Sequence, residues 1–157
     1  MVPGPRESER PLDPNSPCLE CEVVAGRKLP VGGLVLETEL FVVHALLGPS
    51  PLPGWVVLAP RRHARWWWEL SPDELAGLGP LAARVFRAQQ EALGAVHGYA
   101  IALGDVLHHM HLHLVPRFEG TPPSLRGRAA FDAPTASHLP EAELVDAASR
   151  MTRALLA

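Results

Sequence analysis

The most chemically informative stretch of this sequence is a run in which three histidines alternate with apolar residues. It is His109-Met110-His111-Leu112-His113-Leu114-Val115, and Pro116-Arg117 follows it directly. Alternation with a period of two is typical of a half-buried strand. We therefore expect the three imidazoles to share one face of a strand, with Met110, Leu112 and Leu114 in the core. Three titratable, nucleophilic and metal-binding groups on one face predict a chemical site.

Two kinds of chemistry are open to such a row of histidines. A free imidazole has a pKa of about 6.5, so much of it is neutral at neutral pH and can act as a nucleophile. A His-x-His pair on a strand is also a common half of a zinc or iron site. A catalytic metal usually recruits carboxylates, and Asp105 and Glu119 are the close ones. A metal-dependent hydrolase is therefore the alternative to nucleophilic catalysis.

The two cysteines of the chain, Cys18 and Cys21, form a second metal-capable motif. Their Cys-x-x-Cys spacing is that of a zinc knuckle, which needs two further ligands to complete a tetrahedral site. Two free thiols or a redox pair are the alternatives. Because two cysteines do not suggest a disulfide framework, we expect a reduced, cytoplasmic protein.

Composition narrows the class of protein further. The chain has 157 residues, 47% of them hydrophobic and 20% charged, with a net charge of −3. These values predict one folded domain and argue against a basic chain that binds polymeric nucleic acid. There is no apolar run of membrane-spanning length and no signal-peptide pattern, so no membrane partner is expected. We expect residues 1–17 to form a flexible tail and residues 18–157 a single domain.

Hydrophobic patterns and turn residues predict the elements that must position these side chains. Strands are predicted at residues 33–37, 40–45, 55–59, 99–103 and 109–115. A long helix is predicted from a cap at Ser71 to residues 93–94, with a kink or break at Gly79-Pro80. A loop is predicted at residues 119–136 and a last helix at 140–156. This pattern predicts an α+β fold with an antiparallel sheet of about five strands.

These motifs, in this order, resemble the histidine triad (HIT) family of nucleotide hydrolases and transferases, in its zinc-bearing form. The resemblance covers about residues 18–118. It depends mainly on the histidine run with its Pro116-Arg117, which is a specific motif. Cys18-Leu19-Glu20-Cys21 and Pro60-Arg61-Arg62-His63 support it by their order. The resemblance implies a HIT-like fold with one long helix and a C-terminal helix.

The resemblance also implies a nucleophilic mechanism that requires no catalytic metal. His111 would attack the α-phosphorus of a nucleoside phosphoramidate, phosphoanhydride or dinucleoside polyphosphate and form a covalent nucleotidyl-histidine. His113 would bind phosphate oxygens or move a proton, and as a cation it would stabilise the transferring phosphoryl group. Backbone N–H groups at Gly104, Asp105 and Val106 would hold the phosphate. The implied partner is a small-molecule nucleotide.

The zinc-bearing members of the family imply a structural zinc ion with four ligands, which are here Cys18, Cys21, His63 and His109. The first histidine of the run would then have a structural role. The active pair narrows to His111 and His113. The resemblance further implies a homodimer with a continuous sheet.

Three substrate contacts of the family are altered in this chain. Where the family carries Gly-Gln-Ser or Gly-Gln-Thr before the triad, this chain has Gly104-Asp105-Val106, which lacks the hydroxyl and adds a negative charge. The stretch 43–47 contains no acid for the ribose hydroxyls, and residues 99–103 contain no asparagine. His44 either takes over a ribose or phosphate contact or is a satisfied strand histidine. These changes leave a nucleotide-binding module with little turnover as an alternative.

Two further features have no role fixed by the sequence. Trp66, Trp67 and Trp68 cannot all face one way, so at least one should be exposed or at an interface. Core packing with a dimer contact is favoured over base stacking. Arg126 and Arg128 are surface residues by default, although their loop could bring them to a polyphosphate.

Overall fold

A computed structural model describes residues 18–157, and residues 1–17, with their predicted flexible tail, lie outside the described part. Within residues 18–157 the α-helices and strands follow the order α1 (Leu19–Val24), β1 (Leu34–Glu37), β2 (Phe41–Ala45), β3 (Val56–Pro60), α2 (Pro72–Leu93), β4 (His97–Ile101), β5 (Leu112–Arg117) and α3 (Glu141–Leu156). The strands form one antiparallel sheet in the order β1-β2-β3-β5-β4. The predicted α+β fold with a five-stranded antiparallel sheet is confirmed.

The main hydrophobic core lies between one face of the sheet and the two long helices. Leu78, Leu81 and Val85 of α2 are buried there, as are Ala148 and Met151 of α3. The alternate apolar side chains of the histidine run join the same core, namely Met110, Leu112 and Leu114. The predicted inward positions of these three residues are confirmed, and the histidine side chains lie on the other face.

The opposite face of the sheet carries a smaller apolar cluster that borders the histidines. Leu52, Trp55, Val115 and Ala130 are buried in it. Ala130 belongs to the segment after β5, which was predicted to be loop. That segment contains three short 3₁₀ helices, which are Pro123–Leu125, Gly127–Asp132 and Thr135–Ser137. It brings side chains from beyond the histidine run onto the face of the sheet that holds the histidines.

The long helix α2 is continuous across Gly79-Pro80, so the predicted break is wrong. Ser71 and Glu74 form the predicted capping box at its start. A proline inside a helix costs about 3 kcal/mol, because it removes a backbone hydrogen bond and crowds the preceding turn. Leu78 and Leu81 flank Pro80 and are buried. Burial of each leucine side chain stabilises the fold by about 1.5–3 kcal/mol. Packing therefore outweighs the cost of the proline.

No helix within residues 18–157 is long and apolar enough to cross a membrane.

Strand β5 begins at Leu112, three residues later than predicted. His109 and His111 therefore precede the strand, and His113 lies within it. The ladder between β3 and β5 ends at Leu112. Beyond it, the carbonyl oxygen of Pro60 accepts a hydrogen bond from the side chain of His109 at 2.8 Å. Just before β5 begins, this side-chain hydrogen bond therefore takes the place of a backbone hydrogen bond to β3.

The short N-terminal helix α1 was not predicted from the sequence. It has six residues, which are too few to show an apolar period. Cys18 caps its start, and the backbone N–H of Cys21 donates to the Cys18 sulfur at 3.4 Å. The Cys-x-x-Cys spacing therefore coincides with the first turn of a helix, which places both sulfurs close together.

Candidate functional site

The four residues implied as zinc ligands lie side by side. The sulfurs of Cys18 and Cys21 and one ring nitrogen each of His63 and His109 fall within 4.8 Å of one another. Nδ1 of His109 lies 3.4 Å from the Cys18 sulfur and 3.6 Å from the Cys21 sulfur. Nδ1 of His63 lies 3.3 Å from the Cys21 sulfur and 3.2 Å from Nδ1 of His109. Three distant segments of the chain therefore meet at one point.

The spacing of these four donor atoms fits a tetrahedral zinc ion. With Zn–S bonds of about 2.3 Å and Zn–N bonds of about 2.0–2.1 Å, the edges of a tetrahedron measure roughly 3.3–3.8 Å. Four of the six distances between the donor atoms run from 3.2 to 3.6 Å, and all six are within 4.8 Å. Two sulfurs and two imidazole nitrogens are also a donor set that suits zinc. The cluster is positioned for a metal, and its chemistry fits zinc.

A hydrogen bond at the second ring nitrogen orients His109 towards the cluster. Its Nε2–H donates to the carbonyl oxygen of Pro60 at 2.8 Å, so the Nδ1 lone pair faces the sulfurs. The His109 ring is fully buried, and burial lowers its pKa below the usual range. A neutral imidazole with one fixed tautomer is the form that binds a metal ion.

The segment that carries His63 is fastened to the start of α2. The guanidinium of Arg62 donates to the two carboxylate oxygens of Glu74 at 3.1 and 2.8 Å. The same carboxylate accepts from the Ser71 backbone N–H at 2.8 Å. A two-point arginine–carboxylate pair fixes the direction of both partners. One carboxylate therefore caps α2 and holds the backbone next to His63.

The helix that carries the cysteines is anchored to the sheet by a buried pair, Glu20 and His44. Nε2–H of His44 donates to a Glu20 carboxylate oxygen at 2.7 Å, and Nδ1–H donates to the Ala45 carbonyl at 2.7 Å. Both side chains are at most 3% exposed. Burial acts to raise the pKa of Glu20, but the hydrogen bond and charge of His44 outweigh it and lower that pKa. His44 is thus the satisfied strand histidine that the sequence offered as one alternative.

A cleft of about 500 Å³ contains the other two histidines of the run, His111 and His113. One wall is the loop that precedes them, with the three residues predicted to hold phosphate, Gly104, Asp105 and Val106. The far wall comes from the segment after β5 and consists of Arg128, Phe131 and Asp132. The structure therefore brings the predicted catalytic and phosphate-binding residues together, in a volume typical of small-molecule sites.

Only the Nδ1 nitrogen of His111 takes part in the hydrogen bond that orients the ring. Its Nδ1–H donates to the carbonyl oxygen of His109 at 2.7 Å. The lone pair of the neutral ring is therefore on Nε2, which is the nucleophilic nitrogen in this tautomer. The backbone of His109 thus orients His111 while the side chain of His109 belongs to the metal-capable cluster.

His113 is held in the opposite tautomer. The indole N–H of Trp55 donates to Nδ1 of His113 at 3.1 Å, so the ring proton is on Nε2. The ring lies edge-on to Trp55 and Phe131, at centroid distances of 5.8 and 4.8 Å. Burial, followed by the nearby His111, lowers the pKa of His113 to about 4. The hydrogen bond and the lowered pKa both favour the neutral ring over the cationic form, and the neutral ring still has Nε2–H as a donor.

Sequence reasoning missed two aromatic side chains that pack against His113, namely Trp55 and Phe131. Trp55 follows a proline-rich loop directly before β3, where an apolar residue is expected in any core. Phe131 lies in a segment without hydrophobic periodicity, so no pattern could place it beside His113. Arg128, a surface residue by default, lies 5.3 Å from the Phe131 ring and pairs with Asp132 at 3.1 Å. The residues of the far wall therefore contact one another through Arg128.

The three consecutive tryptophans lie outside the core. Trp67 is 47% exposed and Trp68 is 81% exposed, while Trp66 is half-buried. Trp66 stacks on Trp68 with a centroid distance of 5.8 Å and contacts His108 at 5.2 Å. The prediction that at least one would be exposed is confirmed, and the favoured core position is wrong.

Solved structures share this architecture. A Zn-bound histidine triad family protein from Mycobacterium smegmatis gives a TM-score of 0.68 at 21% identity, covering 88% of this chain and 93% of that one. A Hit-like protein from Bartonella henselae gives 0.69 at 17% identity, with coverages of 92% and 99%. A histidine triad protein from Sinorhizobium meliloti gives 0.64 at 25% identity, with coverages of 82% and 90%. These similarities confirm the predicted HIT-like fold.

The family is established by the sequence itself. No curated protein matches the chain significantly. The HIT domain model, however, matches residues 33–120, which is more than half of the chain. The matched region runs from before β1 to just beyond β5 and contains the whole histidine run. This protein therefore belongs to the HIT domain family.

Proposed function

We propose that this protein is a nucleotide hydrolase or nucleotidyl transferase that acts through a covalent nucleotidyl-histidine at His111. The observation that carries the proposal is the 2.7 Å hydrogen bond from His111 Nδ1–H to the His109 carbonyl. It leaves the Nε2 lone pair for attack in a cleft of nucleotide-compatible size. Membership of the HIT family supports a nucleotide-related role. The substrate would be a nucleoside phosphoramidate, phosphoanhydride or dinucleoside polyphosphate.

The proposed reaction has two displacements at the α-phosphorus. In the first, Nε2 of His111 forms a P–N bond while the bond to the leaving group breaks, and the leaving group takes the electron pair. In the second, water attacks phosphorus, the imidazole departs with its electron pair, and one proton of the water passes to solvent. His113 Nε2–H donates to a phosphate oxygen throughout. Two smaller displacements replace one difficult displacement.

We further propose that Cys18, Cys21, His63 and His109 hold a structural zinc ion. Four protein donors complete a tetrahedron and leave no open position, as in structural sites. Burial and the neighbouring Cys18 raise the pKa of metal-free Cys21 to about 11, so zinc must displace a proton from this thiol. Zinc would fix α1 beside the nucleophile. His111 and His113 lie outside this four-donor group, which favours the nucleophilic mechanism over a metal-dependent hydrolase.

A nucleotide-binding module with little turnover is the second candidate, and the charge of the cleft favours it. Asp105 and Asp132 both line the cleft with a single arginine, Arg128. Arg128 already pairs with Asp132 at 3.1 Å. Carboxylates near a phosphate repel it, which opposes turnover of ordinary nucleotides. Such a module would bind a nucleotide without forming an adduct.

We also propose a cytoplasmic homodimer, as the resemblance implies. Within residues 18–157, β4 pairs only with β5, so its outer edge is available for a strand of a second copy. Sedimentation of the full chain at micromolar concentration would show a dimer mass. A monomer mass under those conditions contradicts this proposal.

The test of the proposed function is intact-mass spectrometry of the full chain after rapid mixing with a panel of nucleotides. The panel contains an adenosine phosphoramidate, a diadenosine polyphosphate and aryl esters of AMP. We expect an adduct of one nucleoside monophosphate less one water, absent in His111→Ala. His97→Ala, which removes an exposed histidine of β4, is the matched control and should keep the adduct.

Three outcomes separate the candidates. Nucleotide binding in calorimetry without adduct or product identifies the binding module. Hydrolysis that persists in His111→Ala and stops on chelation identifies a metal-dependent hydrolase. Adduct formation that disappears only with His111 supports the covalent mechanism.

A further inference from the structure

We infer that Trp55 makes His113 a fixed hydrogen-bond donor that cannot pass a proton to the leaving group. The inference rests on the proposed function, because it concerns the step in which the leaving group departs from the α-phosphorus. It narrows the substrate to a nucleotide whose leaving group departs as a stable anion, such as the phosphate of a phosphoanhydride. An amine, which must be protonated to depart, is disfavoured.

The direction of one hydrogen bond carries the argument. An indole N–H can only donate, so the 3.1 Å bond requires Nδ1 of His113 to be the acceptor. Trp55 is 5% exposed, and its ring packs edge-on against Phe131 at a centroid distance of 4.8 Å. The indole therefore cannot turn away without opening the apolar cluster. A proton on Nδ1 of His113 would face the indole N–H directly.

The single proton of His113 therefore lies on Nε2, and it is not transferable. Releasing it would leave an imidazolate anion, which imidazole does not form near neutral pH. An imidazolium could supply a proton, but that form requires protons on both nitrogens. His113 can stabilise negative charge on a phosphoryl oxygen through its Nε2–H. The leaving group must take the electron pair without a proton from His113.

The charged and titratable groups around His113 do not restore a cation. They are His111 on the same run, His44 and Glu20 across the sheet, and Asp105, Arg128 and Asp132 around the cleft. The His111 ring lies 5.2 Å away between centroids. Burial keeps the pKa of His113 at about 4 despite the carboxylate of Glu20. The electrostatic surroundings and the hydrogen-bond direction therefore agree.

The first arm of the test measures the state of His113 directly. In the zinc-loaded full chain labelled with ¹⁵N-histidine, we expect a bare Nδ1 and a protonated Nε2 at neutral pH. Trp55→Phe keeps an aromatic ring but removes the donor, so the Nδ1 resonance should shift and the tautomers should mix. Trp68→Phe, at an exposed position, should change neither resonance. A proton on Nδ1 of His113 in the wild-type protein at pH 7 would overturn the inference.

The second arm measures how the rate depends on the leaving group. The probes are the 4-nitrophenyl and phenyl esters of AMP, compared by kcat/KM, which reports the step in which the aryl group departs. General-acid catalysis is worth about 10²–10⁴-fold, so its absence should favour the 4-nitrophenyl ester by about 100-fold or more. Rates that agree within about threefold show that the leaving group is protonated, and the inference fails.

Failure of the inference and failure of the proposed function give different results. If the wild-type protein cleaves neither ester and forms no adduct, the proposed function fails. The nitrogen resonances still decide whether Trp55 fixes the tautomer of His113. If both esters are cleaved at similar rates with an adduct at His111, the proposed function stands and the inference about the leaving group is wrong.

Discussion

The two ends of the histidine run differ in what surrounds them. His109 is fully buried, and its three neighbouring donors come from the Cys18-x-x-Cys21 turn and from His63. His111 and His113 instead open into a cleft of about 500 Å³. We call the cluster of His109 with Cys18, Cys21 and His63 the closed end of the histidine run. We call His111 and His113, with the cleft that they line, the open end.

The comparison shows that the second hydrogen bond of each imidazole sets its role. A backbone carbonyl at Pro60 takes the Nε2 proton of His109, which turns Nδ1 to the sulfurs. A backbone carbonyl at His109 takes the Nδ1 proton of His111, which frees Nε2. The indole of Trp55 donates to His113 instead of accepting from it. In the function that we propose, these three identical side chains act as a ligand, a nucleophile and a donor.

The largest expected effect separates the two ends outright. His111→Asn should lower turnover by about 10⁴-fold or more, because it removes the attacking nitrogen, while zinc content stays at one per chain. Cys21→Ser should lose zinc and retain measurable turnover. Activity measurements and elemental analysis of both variants check this. Loss of zinc in His111→Asn would show that the two ends are one site.

The second prediction uses the acid sensitivity of the open end. An unfolded His113 takes up a proton near pH 6.5 and the folded one near pH 4, so the unfolded state binds more protons between these values. The free energy of unfolding therefore falls as pH falls through this window, by up to about 3 kcal/mol. His113→Asn should lose this part of the pH dependence, measured as denaturant unfolding at pH 7 and pH 4.5. His97→Asn is the exposed control and should keep the wild-type slope.

The third prediction concerns a substitution outside the four donors that should lower the zinc affinity of the closed end. Glu20→Gln removes the carboxylate that anchors α1 to His44, so the two thiols are held less firmly. We expect zinc affinity to fall by about 10–100-fold in chelator competition. Glu22→Gln alters the neighbouring carboxylate of α1, which pairs with Arg27 on a more exposed side, and should leave affinity unchanged. Equal effects of the two variants would contradict an anchoring role for Glu20.

The smallest expected effect concerns the far wall of the open end. Arg128→Gln should raise KM by about fivefold for a substrate with additional phosphates, because the guanidinium is already paired with Asp132. Steady-state kinetics with a nucleoside polyphosphate and with an AMP ester checks this. We expect the ester to be affected less, and an equal change for both would mean that Arg128 only supports the wall.

The fold was largely predictable because its signals are local. The five strands, the capping box at Ser71 and the inward positions of Met110, Leu112 and Leu114 all follow from short-range patterns. The prediction failed where long-range packing decides the structure. Pro80 lies within a continuous helix because flanking leucines are buried, and β5 starts late because the His109 side chain bonds the Pro60 carbonyl.

The site was predictable to different degrees at its two ends. The four donors of the closed end could be named because the resemblance to zinc-bearing members of the HIT family implied that His63 and His109 join the two cysteines. The open end was only half accessible to sequence reasoning. Its near wall adjoins the histidine run in the chain, but Trp55 and Phe131 reach His113 through tertiary packing that no local pattern encodes.

The convergence of distant segments on the closed end has a consequence for the unfolded chain. The contacting pairs Cys21–His63, His63–His109 and Cys18–His109 are separated by 42, 46 and 91 positions. A covalent cross-link closing a loop of about 90–100 residues removes roughly 4–5 kcal/mol of conformational entropy from the denatured ensemble. A zinc ion at this point would act as a reversible staple of that kind, with a strength that follows the free zinc concentration. The persistence of the native topology would then depend on metal supply.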